Sequence, residues 1–474
     1  MTSSSYERTS PSRERATSSL SERRARPTER RLILSRHPPT VILAACSIPV
    51  SLYAVSTAKF PERSEKIPTV CEKRGYIRRP AFLALLFAAA HALVLLVLTL
   101  YLYSSDAREP AFQVEIFRAY AERIFSGETP YSGFPYEYPP SSLLVLLLPG
   151  LASTGAKAYA TAFGIEMLLL DWAVLYVLSR VGRRAVILYG VAFLLFWRLP
   201  FIRHDLAPVA AATTGAYLLL RGRGAWAAVL WGVGGALKLY PMVAAPALAF
   251  GAGLPETLKR WAVAAAVFAG GVLWGVLAFG PEALSFLAYH ADRPAMIESL
   301  PANVLLLLPG AEVVRSYGSF NVVGPLGESL VNLFGVLQLL AVGGALLLAG
   351  RGWRRAPVMG ALRAAAAATF AFAVFGKVLS PHFLLWPLPL LTLVTELGGV
   401  RHARAAWALY LAAIVLTTAI NEQYWAISGN LPYFTAMLSA RNGLLLPLFA
   451  LLLLRPEEDE EQEEDEAEGD QGVS

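Results

Sequence analysis

Charge is scarce in this chain. Only 16% of its 474 residues are charged, against about 25% in a typical soluble protein. So few charges cannot keep a chain of this size in water, which excludes a soluble multidomain architecture. Cysteine is scarcer still. Cys46 and Cys71 are the only two, and they show neither metal-ligand spacing nor a disulfide framework. Period-2 alternation is missing as well, which argues against a membrane barrel. No internal repeat is visible.

What is abundant is apolar. Hydrophobic residues make up 55% of the chain, and runs near the length of a bilayer core, roughly 20 residues, recur from residue 81 to residue 454. The net charge of +6 is no nucleic-acid signal, because the arginines sit in the tail and in short connections.

Three regions follow. Residues 1–80 are rich in Ser, Arg and Pro and read as disordered. The apolar patch Val41 to Val55 within them is short for a span and is interrupted by Pro49. Residues 81–454 form the transmembrane domain, and residues 455–474 an acidic cytoplasmic tail. Apolar runs lie near 81–104, 141–155, 158–178, 185–200, 205–220, 225–250, 260–281, 327–350, 357–376, 383–399, 404–421 and 441–454. Lipid offers the backbone no hydrogen-bond partners, so these runs must be helices. The expected fold is an all-α polytopic bundle of about 10–12 spans with a long first outer loop.

Lys and Arg in short loops set orientation. Arg78 and Arg79 place the N-terminal side of the first run inside, as Arg351, Arg354, Arg355, Arg401 and Arg404 do for later loops. Loops 105–140, 282–326 and 422–440 then face outward with the turn near Lys377. The middle is ambiguous. Twelve crossings put Arg183 and Arg184 outside and Arg203-His204-Asp205 inside. Counting charges favours the reverse, with 141–155 re-entrant or 225–250 broken at Lys238.

Several features suit chemistry. Apolar residues at 112, 116, 117, 120 and 124 predict an amphipathic helix over 112–125, which can lie flat on a leaflet or serve as a plain connector. Lys238 sits inside an apolar run, and an intramembrane charge is functional by default. Pro241, three residues on, breaks that run. Glu166 and Asp171 lie in another run and suit a structural polar contact. His290, Arg293 and Glu298 would suit phosphate binding and proton transfer. Lys377 and His382 form a cationic outer turn. A cationic, histidine-containing pocket above lipid fits a lipid-linked phosphate better than an inorganic ion.

Gly127-x-x-Pro130-Tyr131 with Glu137-Tyr138-Pro139-Pro140 comes first in a series of motifs. Arg203-x-Asp205, Lys238-Leu-Tyr-Pro241, His290-x-x-Arg293 with Glu298-Ser299, and Lys377-Val-x-Ser-Pro381 follow in order. The series resembles glycosyltransferase family 87, over about residues 81–454. The resemblance implies a GT-C type enzyme that passes a hexose, mannose above all, from a polyprenyl-phosphate sugar to a lipid or glycan hydroxyl on the outer face of the plasma membrane. It implies no cofactor and no metal, with membrane lipids, the lipid-phosphate sugar and the acceptor as partners.

It also implies inversion and a carboxylate base in the first outer loop. The family usually has Asp where this chain has Gln113, so the base is expected to be Glu115, ahead of Asp106, with His290 as a further catalytic group. Substrate contacts are expected from Gln113, Tyr131, Glu137, Tyr138, Arg203, Asp205, Lys238, Arg293, Glu298, Lys377 and His382. Two other functions compete. A flippase of lipid-linked glycans predicts paired broken helices, of which the sequence shows one, and an inactive scaffold would follow from Gln113.

Overall fold

The computed structural model describes residues 79–104, 109–350 and 356–454; the side chains of Arg79 and of residues 109–113 are not described. The Val41–Val55 patch, both cysteines, Arg78, Asp106, Arg351, Arg354, Arg355 and the acidic tail lie outside the described residues.

The helices are α1 (Arg79–Ser104), α2 (Glu109–Phe125), α3 (Leu143–Ala152), α4 (Ala156–Ser179), α5 (Arg183–Leu195) and α6 (Leu206–Leu220). Then come α7 (Gly224–Leu237), α8 (Tyr240–Ala244), α9 (Leu254–Phe279), α10 (Ser285–Asp292) and α11 (Leu300–Leu306). The chain finishes with α12 (Gly327–Leu348), α13 (Pro357–Phe375), α14 (Leu388–Glu396), α15 (Ala403–Glu422), α16 (Ala426–Gly429) and α17 (Leu431–Leu453). The all-α polytopic bundle is as the apolar runs predict. Seven helices, α1, α4, α9, α12, α13, α15 and α17, are long and apolar enough to cross a membrane.

The remaining apolar runs are helical but short. α3, α5, α6, α7 and α14 have 10, 13, 15, 14 and 9 residues. At about 1.5 Å per residue, a helix like α6 reaches roughly 22 Å, well under the roughly 30 Å of a bilayer core. Both alternatives for the ambiguous middle occur together. The 141–155 run does not cross: Pro140 at its start packs on Gly275 of α9, and Thr154 at its end accepts a hydrogen bond from Arg118 of α2. The 225–250 run is broken at Lys238, whose backbone is extended (φ −160, ψ 126). Pro241 then packs back against Gly234 and Met242 against Gly235, so the chain reverses there.

The short helices are flush at one end of the bundle. Glu396 after α14 accepts from the Ala185 backbone N–H of α5 at 2.8 Å. Gly224 at the start of α7 packs on Arg260 of α9, and Gly251 after α8 on Pro357 of α13. All of their missing length is therefore at the opposite end. There the chain ends of α5, α6, α7, α8 and α14 converge on a basin, the place where Asp205, Lys238, Tyr240 and Trp386 meet.

Between the spans, His91 of α1 places Nδ1 2.7 Å from Asp171 Oδ2 of α4 and Nε2 3.3 Å from the Gly190 carbonyl. Tyr189 of α5 donates to the other oxygen of Asp171 at 2.9 Å. Asp171 is thus the structural contact its sequence suggests, and it pins α1, α4 and α5 together.

The segment 282–326, expected as a loop, has structure of its own. Besides α10 and α11 it carries a small antiparallel sheet in the order β1 (Ala295–Met296), β3 (Ser319–Val323), β2 (Glu312–Ser316). β2 and β3 are joined by Tyr317 and Gly318, both at positive φ (51° and 67°), as tight two-residue hairpins require. Ala295, Ile297, Leu305 and Val322 form a satellite core with Phe434 and Leu438 of α17, which seats this cap on the bundle.

Candidate active site

The basin is built where segment ends converge. α5 exits through a short 3-10 turn, Leu199–Phe201, into Arg203, His204 and Asp205, which leads into α6. α7 ends at Lys238 because Pro241 sits in the first turn of the next helix. The Lys238 ammonium donates to Asp205 Oδ1 at 2.7 Å, and Trp386 Nε1 donates to the same oxygen. His382 Nε2 stands 3.4 Å from Oδ2. Asp205 is fully buried, so this ion pair holds a charge that lipid would otherwise expel.

Aromatic rings surround the cation. Lys238 Nζ lies 5.2 Å from the Phe383 ring, 5.3 Å from Trp386 and 5.7 Å from Tyr138, within cation–π range. Tyr240 stacks on Trp386 at 4.4 Å and Phe383 stacks on its ring at 3.8 Å. The His204 ring meets Tyr138 edge-on at 4.5 Å and Phe117 of α2 at 5.6 Å. Neither His204 nitrogen, nor His382 Nδ1, nor the Tyr240 hydroxyl has a hydrogen-bond partner among the described residues. Buried polar atoms are almost always satisfied, and this concentration of orphans marks a place built to meet a polar ligand.

The rim comes from the turn before α3. Tyr131, at φ 71°, donates its hydroxyl to the Tyr138 carbonyl at 2.8 Å. Tyr136 and Ser142 share a 2.6 Å hydrogen bond, and Pro139 and Pro140 stiffen the exit. Half-buried Glu137 is thereby held over the basin. Its backbone carbonyl is 3.0 Å from His290 Nε2. Burial pushes the His290 ring below its ordinary range, against the pull of Glu137.

Other predicted residues serve the frame. Arg293 donates to Ser319 of β3 at 2.5 Å within the cap, and Lys377 donates to the Ala291 carbonyl at 2.7 Å, tying the cap to the bundle. Glu298 is fully buried, accepts from the Tyr424 hydroxyl and lies 3.6 Å from Arg441 of α17. Arg203 is close enough to influence Glu298, Tyr138 and His382 electrostatically.

Glu115 is not brought to this cluster. It pairs with Arg118 at 2.5 Å on the helix surface, about 200° around α2 from Phe117, the residue that touches His204. Gln113 lies in α2 without a described side chain, and Asp106 lies outside the described residues. Sequence reasoning missed Trp386, Tyr240, Phe383, Tyr424 and Arg441. Arg441 carried a usable signal, a charge inside an apolar run; the others look like ordinary aromatic packing. Among the described residues no group of three or more His, Cys, Asp or Glu could hold a metal ion.

The family model of glycosyltransferase family 87 matches residues 136–381, just over half of the chain. The chain belongs to that family. The match runs from the rim turn to the end of the Lys377 motif and takes in Glu137, Tyr138, Arg203, Asp205, Lys238, His290, Arg293, Glu298 and Lys377. It leaves out α2 with Glu115 and stops one residue before His382. Neither curated proteins nor solved structures give a match. Membership makes this multi-pass membrane protein a glycosyltransferase, and of the matched residues Tyr138, Asp205 and Lys238 meet in the basin.

Proposed function

We propose that this glycosyltransferase moves a hexose, mannose first among the candidates, from a polyprenyl-phosphate sugar to a lipid or glycan hydroxyl on the extracytoplasmic face of the plasma membrane. The observation that carries this reading is the Lys238–Asp205 pair in its aromatic cage, buried within the bundle. A donor whose phosphate is anchored in the bilayer presents its anion at that depth, whereas a water-borne nucleotide sugar does not.

The chemistry follows. A single-phosphate leaving group carries less charge than a pyrophosphate, and Lys238, Arg203 and His382 are suited to it. Preorganised cations in a water-poor site stabilise the charge that develops as the glycosidic bond breaks. Asp205 keeps the ammonium in place.

Charge distribution supports the sidedness. Arg180, Arg183, Arg184, Arg221, Arg223, Arg260, Arg401 and Arg404 cluster in the short connections of the flush end. At the basin end, Arg118, Arg123, Arg198 and Lys238 are each tied to a carboxylate. Short connections rich in Lys and Arg stay cytoplasmic, which supports an outward-facing basin.

Membranes containing the protein are to be incubated with a radiolabelled prenyl-phosphate mannose and membrane lipids. A new labelled glycolipid is expected, with turnover reduced about 100-fold in Lys238→Ala. Folded protein that transfers from no prenyl-phosphate hexose would sink the reading. Glycolipid crossing vesicles without a new glycosidic bond would replace it with transport.

A further inference from the structure

Four carboxylates near the basin have described side chains, and they differ in what they are free to do. Asp205 is fully buried and engaged by Lys238, Trp386 and His382. Glu298 is fully buried against Tyr424 and Arg441. Glu115 is held by Arg118 on the far side of α2. Glu137 is half-buried in the rim turn, next to Tyr138, whose ring lies 5.7 Å from Lys238 Nζ.

From this contrast we infer that Glu137 is the general base of the transfer, the group that takes the proton from the acceptor hydroxyl. The inference rests on the transferase reading above. A carboxylate accepts at about four lone-pair sites, which leaves Glu137 room for an acceptor hydroxyl. Pro139 and Pro140 stiffen the chain two residues on, and His290 Nε2 holds the Glu137 carbonyl at 3.0 Å, so its backbone is fixed. Tyr138, the next residue, has its ring 5.7 Å from Lys238 Nζ, which sets acceptor activation beside the cation that meets the donor phosphate.

On the other side of Glu137, the Tyr289 and Tyr317 rings meet edge-on at 5.1 Å. Both are half-buried at the foot of the cap, and they offer an acceptor a wall that presents it to the carboxylate. The step balances. The acceptor oxygen bonds to the anomeric carbon as the carbon–oxygen bond to phosphate breaks, and that electron pair leaves on the lipid phosphate. The acceptor proton passes to a Glu137 oxygen, and a single displacement inverts the anomeric centre.

The test uses the full-length protein in membranes, with Glu137→Gln, Glu137→Asp and Glu115→Gln beside the wild type. A base is worth about 10² to 10⁴ in rate, so Glu137→Gln is expected to lose at least 100-fold in kcat with the donor KM within about threefold. Glu137→Asp should recover part of the rate. Binding of prenyl monophosphate, measured separately, should survive in Glu137→Gln. Glu137→Gln turnover within threefold of wild type overturns the inference, all the more if Glu115→Gln is the variant that fails. Loss of prenyl-phosphate binding together with turnover also overturns it, because Glu137 would then be structural. A wild type that binds prenyl phosphate yet transfers nothing sinks the transferase reading itself.

Discussion

Glu298 shows how burial decides the behaviour of a carboxyl even beside an arginine. Burial raises it to about 7, with Arg441 and the Tyr424 hydroxyl pulling the other way. Between about pH 4.5 and 7 the folded state then holds a proton that the unfolded chain has released. Stability contributed by this site is therefore present at low pH and lost as pH rises through that window. The shift corresponds to about 3 kcal/mol. Thermal midpoints in detergent at pH 5 and pH 8 should fall with pH in the wild type, and the fall should be smaller in Glu298→Gln, whose amide does not titrate. An equal pH slope in both proteins would remove Glu298 as its source. Asp205 behaves differently because its partner is a cation in a closed cage. Asp205→Asn leaves the Lys238 ammonium without its counter-charge, a change worth roughly 3–5 kcal/mol when a buried pair loses one member. It is expected to lower the yield of folded protein as well as activity, read by size-exclusion profile beside the transfer assay. At this scale the sequence was legible wherever a charge interrupted an apolar run, which is how Lys238 stood out. Arg441 obeys the same rule but was read as the start of a run at 441–454, whereas α17 begins at Leu431. Trp386 and Tyr240 carry no such mark, because an aromatic ring in a membrane helix is as readily packing as site.

At the scale of elements, the basin exists because five helices are short and their flush ends are aligned. Their positions were legible from hydropathy, since lipid forces every apolar run into a helix. Which runs cross was not, because a 14-residue run followed by a break reads like one long span until Pro241 is seen packing back on Gly234. The β2–β3 hairpin was hidden for another reason: Val313, Val314, Val322 and Val323 suit strands, but the Leu-rich stretch from Leu305 to Leu308 just before them reads as helix. The alignment of α7 depends on close approach to α9. A Cβ on Gly232 would come within 2.6 Å of the Ala264 carbonyl oxygen and 2.8 Å of Val267 Cβ. Backbone cannot yield as a flexible side chain does, so Gly232→Ala must push α7 away from α9 and carry Lys238 with it. The expected result is about 1–3 kcal/mol of destabilisation and reduced transfer. Prenyl-phosphate binding should weaken in step, since the cation is what moves. Full binding and full turnover in that variant would show that α7 has slack the packing does not suggest.

For the whole molecule, depth and sidedness together decide which substrates can arrive. Helices of 13–15 residues bring the Lys238–Asp205 pair together within the bundle, and on the proposed reading a phosphate anchored by a lipid chain reaches it. The arginine-rich flush end then determines which compartment the rim faces. If the basin opens outward, the donor must be a lipid-linked sugar already translocated, because nucleotide sugars stay in the cytoplasm; if it opens inward, that restriction disappears and the donor class has to be reconsidered. Single cysteines introduced into a Cys46→Ser, Cys71→Ser background separate the two. Ser132 on the rim turn and Ser428 before α17 are exposed at the basin end, and Lys259 is exposed at the flush end. A membrane-impermeant maleimide should label Ser132→Cys and Ser428→Cys in intact cells, and Lys259→Cys only after permeabilisation. The inverse pattern would turn the basin toward the cytoplasm and overturn the outward-facing donor, even if every residue of the site proved essential. Labelling of all three in intact cells would indicate leaky cells, a condition checked by a cytoplasmic marker before the pattern is read.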